Sequence, residues 1–89
     1  MANIKVAKVI DGDTFEDIYG QNYRLANVNA PEKGKSGSVQ AQAALAKMIE
    51  GAVVSATTVG FSYGRPVVEI RVPGVKASVN ERMQRKGFK

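Results

Sequence analysis

Cysteine, histidine and tryptophan are all missing from this chain of 89 residues. The absence of cysteine excludes disulfide bonds, thiolate zinc sites and cysteine nucleophiles. The absence of histidine excludes Ser-His-Asp triads, histidine bases and most transition-metal sites. Any metal that this protein binds must therefore be held by oxygen ligands, which favours calcium, magnesium or manganese.

The chain also lacks long apolar runs. No segment is apolar over a length that would cross a membrane, and the first residues show none of the apolar stretch of a signal peptide. We therefore expect a cytoplasmic protein that does not bind membranes. With 44% hydrophobic and 24% charged residues, residues 1–89 are typical of a single small globular domain. Because its core is small, we expect a monomer or a weak homodimer.

Charge is distributed unevenly along the sequence. The net charge is +5, from 13 basic against 8 acidic residues. Residues 1–32 carry three basic and five acidic side chains, whereas residues 33–89 carry ten and three. The basic part suits a polyanion such as nucleic acid, and the acidic part suits a divalent cation. A net positive charge also serves solubility alone, so charge does not decide the function.

Apolar alternation and turn residues predict a mainly β chain with two helices. Strands are expected over residues 4–10, 14–18, 23–28, 52–59 and 67–72, the first three forming an antiparallel meander. Ser38 is expected to cap a helix over residues 39–50, and the capping box Ser78-Val79-Asn80-Glu81 opens a short helix that ends near Lys86. A helix between the third and fourth of five strands is the order of an α+β, OB-type barrel. That fold often binds oligonucleotides, but fold alone does not fix function.

Four motifs follow one another along this predicted barrel. They are Ile10-Asp11-Gly12-Asp13-Thr14, Tyr23-Arg24-Leu25-Ala26-Asn27-Val28-Asn29-Ala30-Pro31-Glu32, Tyr63-Gly64-Arg65 and Val79-Asn80-Glu81. In this order and at these spacings they resemble the staphylococcal nuclease (thermonuclease) family, over nearly the whole chain from about Lys5 to Phe88. The first motif alone is weak because Asp-Gly turns are common, but the combination is highly specific. The resemblance implies an OB-fold nuclease that cleaves DNA and RNA phosphodiesters with calcium.

The resemblance also implies a set of metal ligands. Asp13 would bind calcium directly, Asn29 would fill the second carboxylate position, and Ala30 would offer its backbone carbonyl. Asp11 would lie just outside these ligands. Such a set is chemically reasonable, since calcium prefers hard oxygen ligands from more than one segment of the chain.

Catalytic roles follow from the same resemblance. Glu32 would act as the general base on the attacking water, Arg24 and Arg65 would clamp the scissile phosphate, and Tyr63 would contact a substrate phosphate. A carboxylate can take a proton from water where no histidine is present. Planar guanidinium groups match the charge that develops on phosphoryl oxygens. Taken singly, each of these residues has an ordinary structural explanation, such as a turn former or a solvated charge.

The chain departs from the family pattern at four places. Asn29 stands where the family normally has Asp, which removes a negative charge from the metal site and should weaken metal binding. Phe61-Ser62 replaces the polar or charged residues that usually precede Tyr-Gly-Arg, and Pro66 directly after Arg65 is unusual. The sequence ends after the second helix, whereas better-known members continue with a third helix, so this is expected to be a short form.

Three hypotheses remain open from the sequence. The first is an active calcium-dependent phosphodiesterase that uses Glu32 with Arg24 and Arg65. The second is a weakened or inactive barrel that binds nucleic acid without turnover, as Asn29 suggests. The third is an interaction or structural module on the same fold, which would neither bind nor cleave polynucleotides. The low aromatic content of 7% argues mildly against a barrel that holds single strands by stacking.

Overall fold

A computed structural model describes residues 2–89 as five strands and two helices. In chain order these are β1 (Ala2–Asp11), β2 (Thr14–Asp17), β3 (Asn22–Leu25), α1 (Ser38–Ile49), β4 (Val53–Ser62), β5 (Arg65–Arg71) and α2 (Val79–Arg85). The strands close into a barrel in the order β1-β2-β3-β5-β4. The prediction of a small, mainly β barrel with two helices is therefore confirmed. Neither helix is long and apolar enough to span a bilayer within the part of the chain that the structure describes.

Strand pairing explains how distant motifs meet at one end of the barrel. The strands β1, β2 and β3 form the predicted antiparallel meander, in which Thr14 pairs with Arg24. The short β3 then pairs in parallel with β5, so that Arg24 lies opposite Val67. The strands β4 and β5 form a hairpin that ends with Ser62 opposite Arg65. The start of β2, the end of β3 and the start of β5 consequently lie side by side.

The core fills the barrel and the space beneath α1. Its largest fully buried side chains come from every strand and both helices: Phe15, Leu25, Leu45, Ile49, Ile70, Met83, Val6, Val28, Val54, Val68 and Val79. The predicted apolar face of α1 is buried at Ala41, Leu45 and Ile49, with Met48 partly buried against the core. Phe15 also stacks on Tyr23, with the ring centroids 5.1 Å apart. Burial of these apolar surfaces is the main force that holds the helices on the barrel.

The predicted ends of β3, β4 and β5 need correction. β3 stops at Leu25 rather than at residue 28, since the chain turns at Asn27, whose φ is 60°. β4 continues to Ser62 and β5 begins at Arg65, so the expected turn over residues 61–66 shrinks to Tyr63-Gly64. Both of these turn residues have positive φ, which local alternation does not reveal.

Of the two predicted helix starts, the first is wrong and the second is confirmed. Ser38 was expected to cap α1, but it is the first residue of the helix, and Gly37 at φ 86° takes the cap position with no side-chain hydrogen bond. The second start is as predicted: the Ser78 hydroxyl accepts a hydrogen bond of 3.0 Å from the Glu81 N–H. This contact satisfies one of the free N–H groups at the start of α2.

A buried asparagine fastens α2 to the barrel. Asn80 donates from its amide nitrogen to the carbonyl oxygens of Ala26 (2.9 Å) and Val68 (3.0 Å), and its oxygen accepts from the Ile70 N–H (2.9 Å). All three bonds are buried, so each partner would be left without water if the amide were removed. The motif that suggested a family likeness thus has a structural role at this position.

Candidate functional site

One cleft of about 290 Å³ gathers most of the residues singled out by the sequence. Its lining consists of Asp11, Asp13, Thr14, Arg24, Asn29, Ala30, Glu32 and Arg65. Seven of the eight predicted site residues are therefore neighbours in space, and Tyr63 is the one that does not line the cleft. Thr14 was not predicted, although its place directly after Asp13 in the first motif was a usable signal.

Three parts of the chain supply this lining: the β1–β2 turn, β3 together with the loop that follows it, and the start of β5. Asp11 and Asp13 flank the turn between β1 and β2, and Arg24 lies on β3 opposite the start of β2. Asn29, Ala30 and Glu32 follow in the loop between β3 and α1, while Arg65 opens β5. The parallel pairing of β3 with β5 is what brings the two arginines to the same cleft.

Arg24 is held in place by the loop that follows it. Its Nη1 donates to the carbonyl oxygens of Leu25 (2.7 Å) and Val28 (2.5 Å), and its Nη2 donates to Asn29 Oδ1 (3.1 Å). The same Nη2 lies 3.5 Å from Asp13 Oδ2, and both side chains of this ion pair are largely buried, at 22% and 13% exposure. Since its position is fixed from several sides, the guanidinium needs little rearrangement to meet an anion in the cleft.

Asp13 is the most heavily bonded acid of the cleft. Its Oδ1 accepts from the Thr14 hydroxyl (3.0 Å) and its Oδ2 accepts from the Ala30 N–H (3.1 Å). Burial acts to raise the pKa of Asp13, but hydrogen bonding with Asp11, the Ala30 N–H and the charge of Arg24 outweigh it, so the pKa lies below its ordinary value of 3.8. Asp13 is therefore an anion across the neutral pH range.

Asp11 shows the opposite behaviour. Its Oδ1 accepts from the Asp13 N–H at 3.2 Å. Burial, followed by the neighbouring Asp13 carboxyl, raises the pKa of Asp11 above its ordinary value. Two carboxylates in one small space thus have their pKa values pushed apart, which is a common property of functional sites and also occurs in structural ion-pair networks.

Like Asp11, the Glu32 and Arg65 side chains of the cleft have no ion-pair partner within residues 2–89. Glu32 is exposed in the loop after Pro31, and only its backbone oxygen is engaged, by the Lys35 N–H at 2.9 Å. Arg65 is half-buried, and its Nε lies 3.5 Å from the Ser62 carbonyl oxygen. Both charged groups are consequently available to a ligand in the cleft.

Tyr63 projects from the turn between β4 and β5. It is 97% exposed and has a φ of 51°, an uncommon conformation for a residue other than glycine. The side chain lies outside the cleft, two positions before Arg65. Its predicted contact with a substrate phosphate remains a prediction.

Gly12 keeps the β1–β2 turn close to α1 and to the site loop. A Cβ atom placed on Gly12 would lie 2.5 Å from the Cβ of Ala41 and 2.6 Å from that of Ala30. Asp-Gly turns often need glycine for a positive φ, but Gly12 is not among the positive-φ residues of the described chain. Its small size is what matters, since it lets α1 and Ala30 approach the turn between the two aspartates.

The donor atoms of the cleft are of one chemical kind. Asp11, Asp13, Asn29 and Ala30 all line the cleft, and the carboxylate, amide and carbonyl oxygens that they carry are hard donors of the type that fits calcium. Within residues 2–89, no group of three or more Asp, Glu, His or Cys side chains is arranged to hold a metal ion. The set is therefore suitable in donor type but low in negative charge.

No protein-family model matches the sequence, and no curated protein matches it either. The functional argument for this chain accordingly rests on its own residues and their geometry.

Proposed function

We propose that this protein is a calcium-dependent nuclease on an OB-type barrel, which hydrolyses phosphodiester bonds of DNA or RNA. The observation that carries the proposal is the convergence of two arginines, a free glutamate and two aspartates in one cleft from three separate parts of the barrel. Each group has a role in phosphodiester hydrolysis that suits its chemistry and its surroundings.

The two arginines would bind the scissile phosphate. Arg24 is held rigidly by the carbonyl oxygens of Leu25 and Val28, whereas Arg65 has no carboxylate partner within residues 2–89. Negative charge grows on the phosphoryl oxygens as water attacks, and the two guanidinium groups would stabilise that charge more than they stabilise the ground state. An arginine that is already oriented contributes most to such stabilisation.

Glu32 would take the proton from the attacking water. Its carboxylate is exposed and makes no side-chain hydrogen bond among the described residues, so it is able to bind and orient a water molecule at the mouth of the cleft. Asp13, Asn29 and Ala30 would hold calcium, with Asp11 beside them. When bound, calcium supplies polarisation of the phosphoryl oxygen and lowers the pKa of coordinated water.

A second function is favoured by one specific contact. The Asp13 carboxylate and the Asn29 amide oxygen both interact with Arg24, so two of the presumed metal ligands are already engaged by an internal cation. With an amide in place of a carboxylate, the cleft offers calcium less charge. The alternative is thus a barrel that binds nucleic acid or a protein partner with little or no turnover.

Glu32→Gln tests the proposed nuclease directly, because the change keeps the shape of the side chain and removes the base. We expect cleavage of single-stranded DNA and RNA in calcium to fall by about 10² to 10⁴-fold, while oligonucleotide binding and the melting temperature stay unchanged. Glu69→Gln is the matched control, since Glu69 is an exposed carboxylate of β5 that lies outside the cleft. Its cleavage rate should equal that of the unmodified protein.

The outcomes separate the hypotheses. Cleavage by the unmodified protein that needs calcium and is lost in chelator supports the nuclease. Binding in chelator with no cleavage over a wide calcium range would establish the binding barrel instead. Equal loss of binding and cleavage in Glu32→Gln would show that Glu32 is needed for the structure of the loop and is not the base.

A further inference from the structure

A second concave surface lies between the two helices, away from the cleft. It has a volume of about 400 Å³, and we call it the helix groove; its lining residues are Ala44, Lys47, Met48, Arg82 and Lys86. Three of the five carry positive charge, and none carries negative charge. Lys47 comes from the last turn of α1, Arg82 comes from α2, and Lys86 directly follows the last residue of α2, so the groove exists only in the folded protein.

The basic side chains of the helix groove are not used inside the protein. Within residues 2–89, Lys47, Arg82 and Lys86 take part in no ion pair, whereas their neighbour Arg85 is paired with Glu81. Like charges brought together without a counter-charge repel one another, and an anion bound between them would relieve this repulsion.

Helix polarity alone does not account for this cluster. Basic side chains near the end of a helix interact favourably with its C-terminal carbonyl groups. Lys47 in the last turn of α1, and Arg82 and Arg85 in the last turn of α2, all provide such charges. Helix polarity does not explain why Lys47, Arg82 and Lys86 line one hollow together with no acidic side chain in its lining, and this arrangement points to a ligand.

We propose that the helix groove is a second phosphate-binding site, which holds a stretch of single-stranded nucleic acid that extends from the cleft. The proposal deepens, and rests on, the function proposed above. The phosphates would contact the three cations, and the apolar floor of Ala44 and Met48 would contact sugar or base faces. A volume of about 400 Å³ falls in the range of small-ligand pockets, so it suits one nucleotide unit.

The route between the two sites runs along α1. Ala41 packs near Gly12 at the cleft, and the groove begins one turn later at Ala44 and reaches Met48. The distance from Ala41 to Met48 is seven steps along the helix, which span roughly 10 Å at 1.5 Å per step. One strand of about three nucleotides covers that distance at about 3.4 Å each, and a more extended strand needs fewer.

A membrane surface is a less suitable occupant of the helix groove. Proteins that bind lipid surfaces through basic residues usually also insert large apolar side chains. The large exposed hydrophobic residues of the described chain are Ile18, Tyr19, Val39, Val53, Val59, Phe61, Tyr63 and Val75, and none of them lines the groove.

The test compares two triple variants that remove the same charge. The groove variant is Lys47→Gln, Arg82→Gln and Lys86→Gln. The control variant is Lys8→Gln, Lys76→Gln and Arg85→Gln, whose positions lie outside the groove. Binding of a labelled single-stranded DNA of about ten nucleotides, roughly three times the span above, is measured in chelator at several salt concentrations.

The expected result is a change in the salt dependence. Each phosphate contact contributes about 0.7 to the slope of log K against log salt for single strands, so the groove variant should lose roughly 2 from that slope. The control variant should keep the slope of the unmodified protein. Equal changes in both variants, or no change in either, would overturn the proposal.

Two further measurements keep the result unambiguous. Because Arg82 is half-buried, the double variant Lys47→Gln with Lys86→Gln is included, with an expected slope loss of roughly 1.4. The second measurement is binding of each variant to phosphatidylserine vesicles. If the groove variant loses vesicle binding while its DNA binding is unchanged, the proposal is overturned in favour of a lipid site.

Failure of the groove and failure of the nuclease give different patterns. If a dinucleotide is cleaved in calcium but the salt slope is the same in both variants, the groove proposal fails and the nuclease stands. If no substrate is cleaved but the groove variant loses slope, the nuclease fails and the phosphate site stands. If the unmodified protein neither binds an oligonucleotide at any salt concentration nor cleaves one in calcium, both proposals are refuted.

Discussion

Gly12→Ala is expected to destabilise the protein and to disturb the cleft at the same time. The new Cβ would lie 2.5 Å from the Cβ of Ala41, 2.6 Å from that of Ala30 and 3.2 Å from the Ala41 backbone carbon. Ordinary contacts of such atoms are 3.4–4 Å. The β1–β2 turn must therefore move by about 1 Å from both neighbours, and neither neighbour has a flexible side chain that gives way.

The magnitude follows from the rigidity of these contacts. Overpacking a core by one methyl group typically costs about 1–3 kcal/mol. Because the new methyl group of Gly12→Ala meets two stiff partners, we expect a loss of unfolding free energy of about 3 kcal/mol. A small domain has about 5–15 kcal/mol of stability in total, so the loss is large. For a chain of this length it corresponds to a drop of roughly 12–24 °C in melting temperature.

Thermal unfolding followed by circular dichroism measures this effect, with Gly60→Ala as the matched control. A Cβ on Gly60 would meet nothing within 4 Å, and its φ is not positive, so its melting temperature should change by a few degrees at most. Ala41→Gly in the Gly12→Ala background removes the closest contact and should therefore restore part of the lost stability. The gain is reduced by about 1 kcal/mol, because glycine is unfavourable within a helix. Equal melting temperatures for Gly12→Ala and Gly60→Ala would refute the reasoning.

Three other changes have defined outcomes. Asn80→Ala should lower the free energy of unfolding by about 3 kcal/mol, because three buried hydrogen bonds are lost; urea unfolding checks this, and a loss below about 1 kcal/mol would contradict it. Burial and the hydrogen bond to Asp17 raise the pKa of Tyr23 from 10.0 to about 12. The stability that the Tyr23 hydroxyl contributes is therefore complete below pH 10 and is lost as the pH rises through 12. The unfolding free energies of the unmodified protein and of Tyr23→Phe should consequently differ less at pH 12 than at pH 9. Asn29→Asp should tighten calcium binding, as calorimetry would show, and an unchanged affinity would mean that residue 29 does not face the metal.

The predictable part of the fold is the part encoded locally. Alternating apolar residues predicted all five strands, and the Ser78 cap followed from a four-residue motif. The predicted strand ends were wrong because Asn27 and Tyr63 adopt positive φ, which the alternation of apolar residues does not reveal. Ser38 failed as a cap because Gly37 beside it takes a left-handed conformation that ends the loop one residue earlier.

The residues that line the site were predictable from the sequence, but the contacts among them were not. The order of the motifs was sufficient to predict Asp13, Arg24, Glu32 and Arg65 as site residues. In the structure, all four line one cleft. The ion pair of Arg24 with Asp13 joins β3 to the β1–β2 turn, and no local sequence pattern predicts it. The same holds for the helix groove, whose basic residues belong to helices that are distant in sequence.

The charge balance of the cleft links its structure to the open question of turnover. Three acidic side chains and two arginines line the cleft, so its net charge is close to neutral when all of them are ionised. Asn29 contributes an oxygen without charge, and Arg24 already compensates Asp13. A neutral cleft accepts a phosphodiester more readily than an acidic one does, but it holds a divalent cation less tightly. The residue at position 29 therefore shifts the balance between substrate binding and calcium binding. An aspartate there would strengthen calcium binding and weaken the binding of a phosphodiester in the absence of calcium.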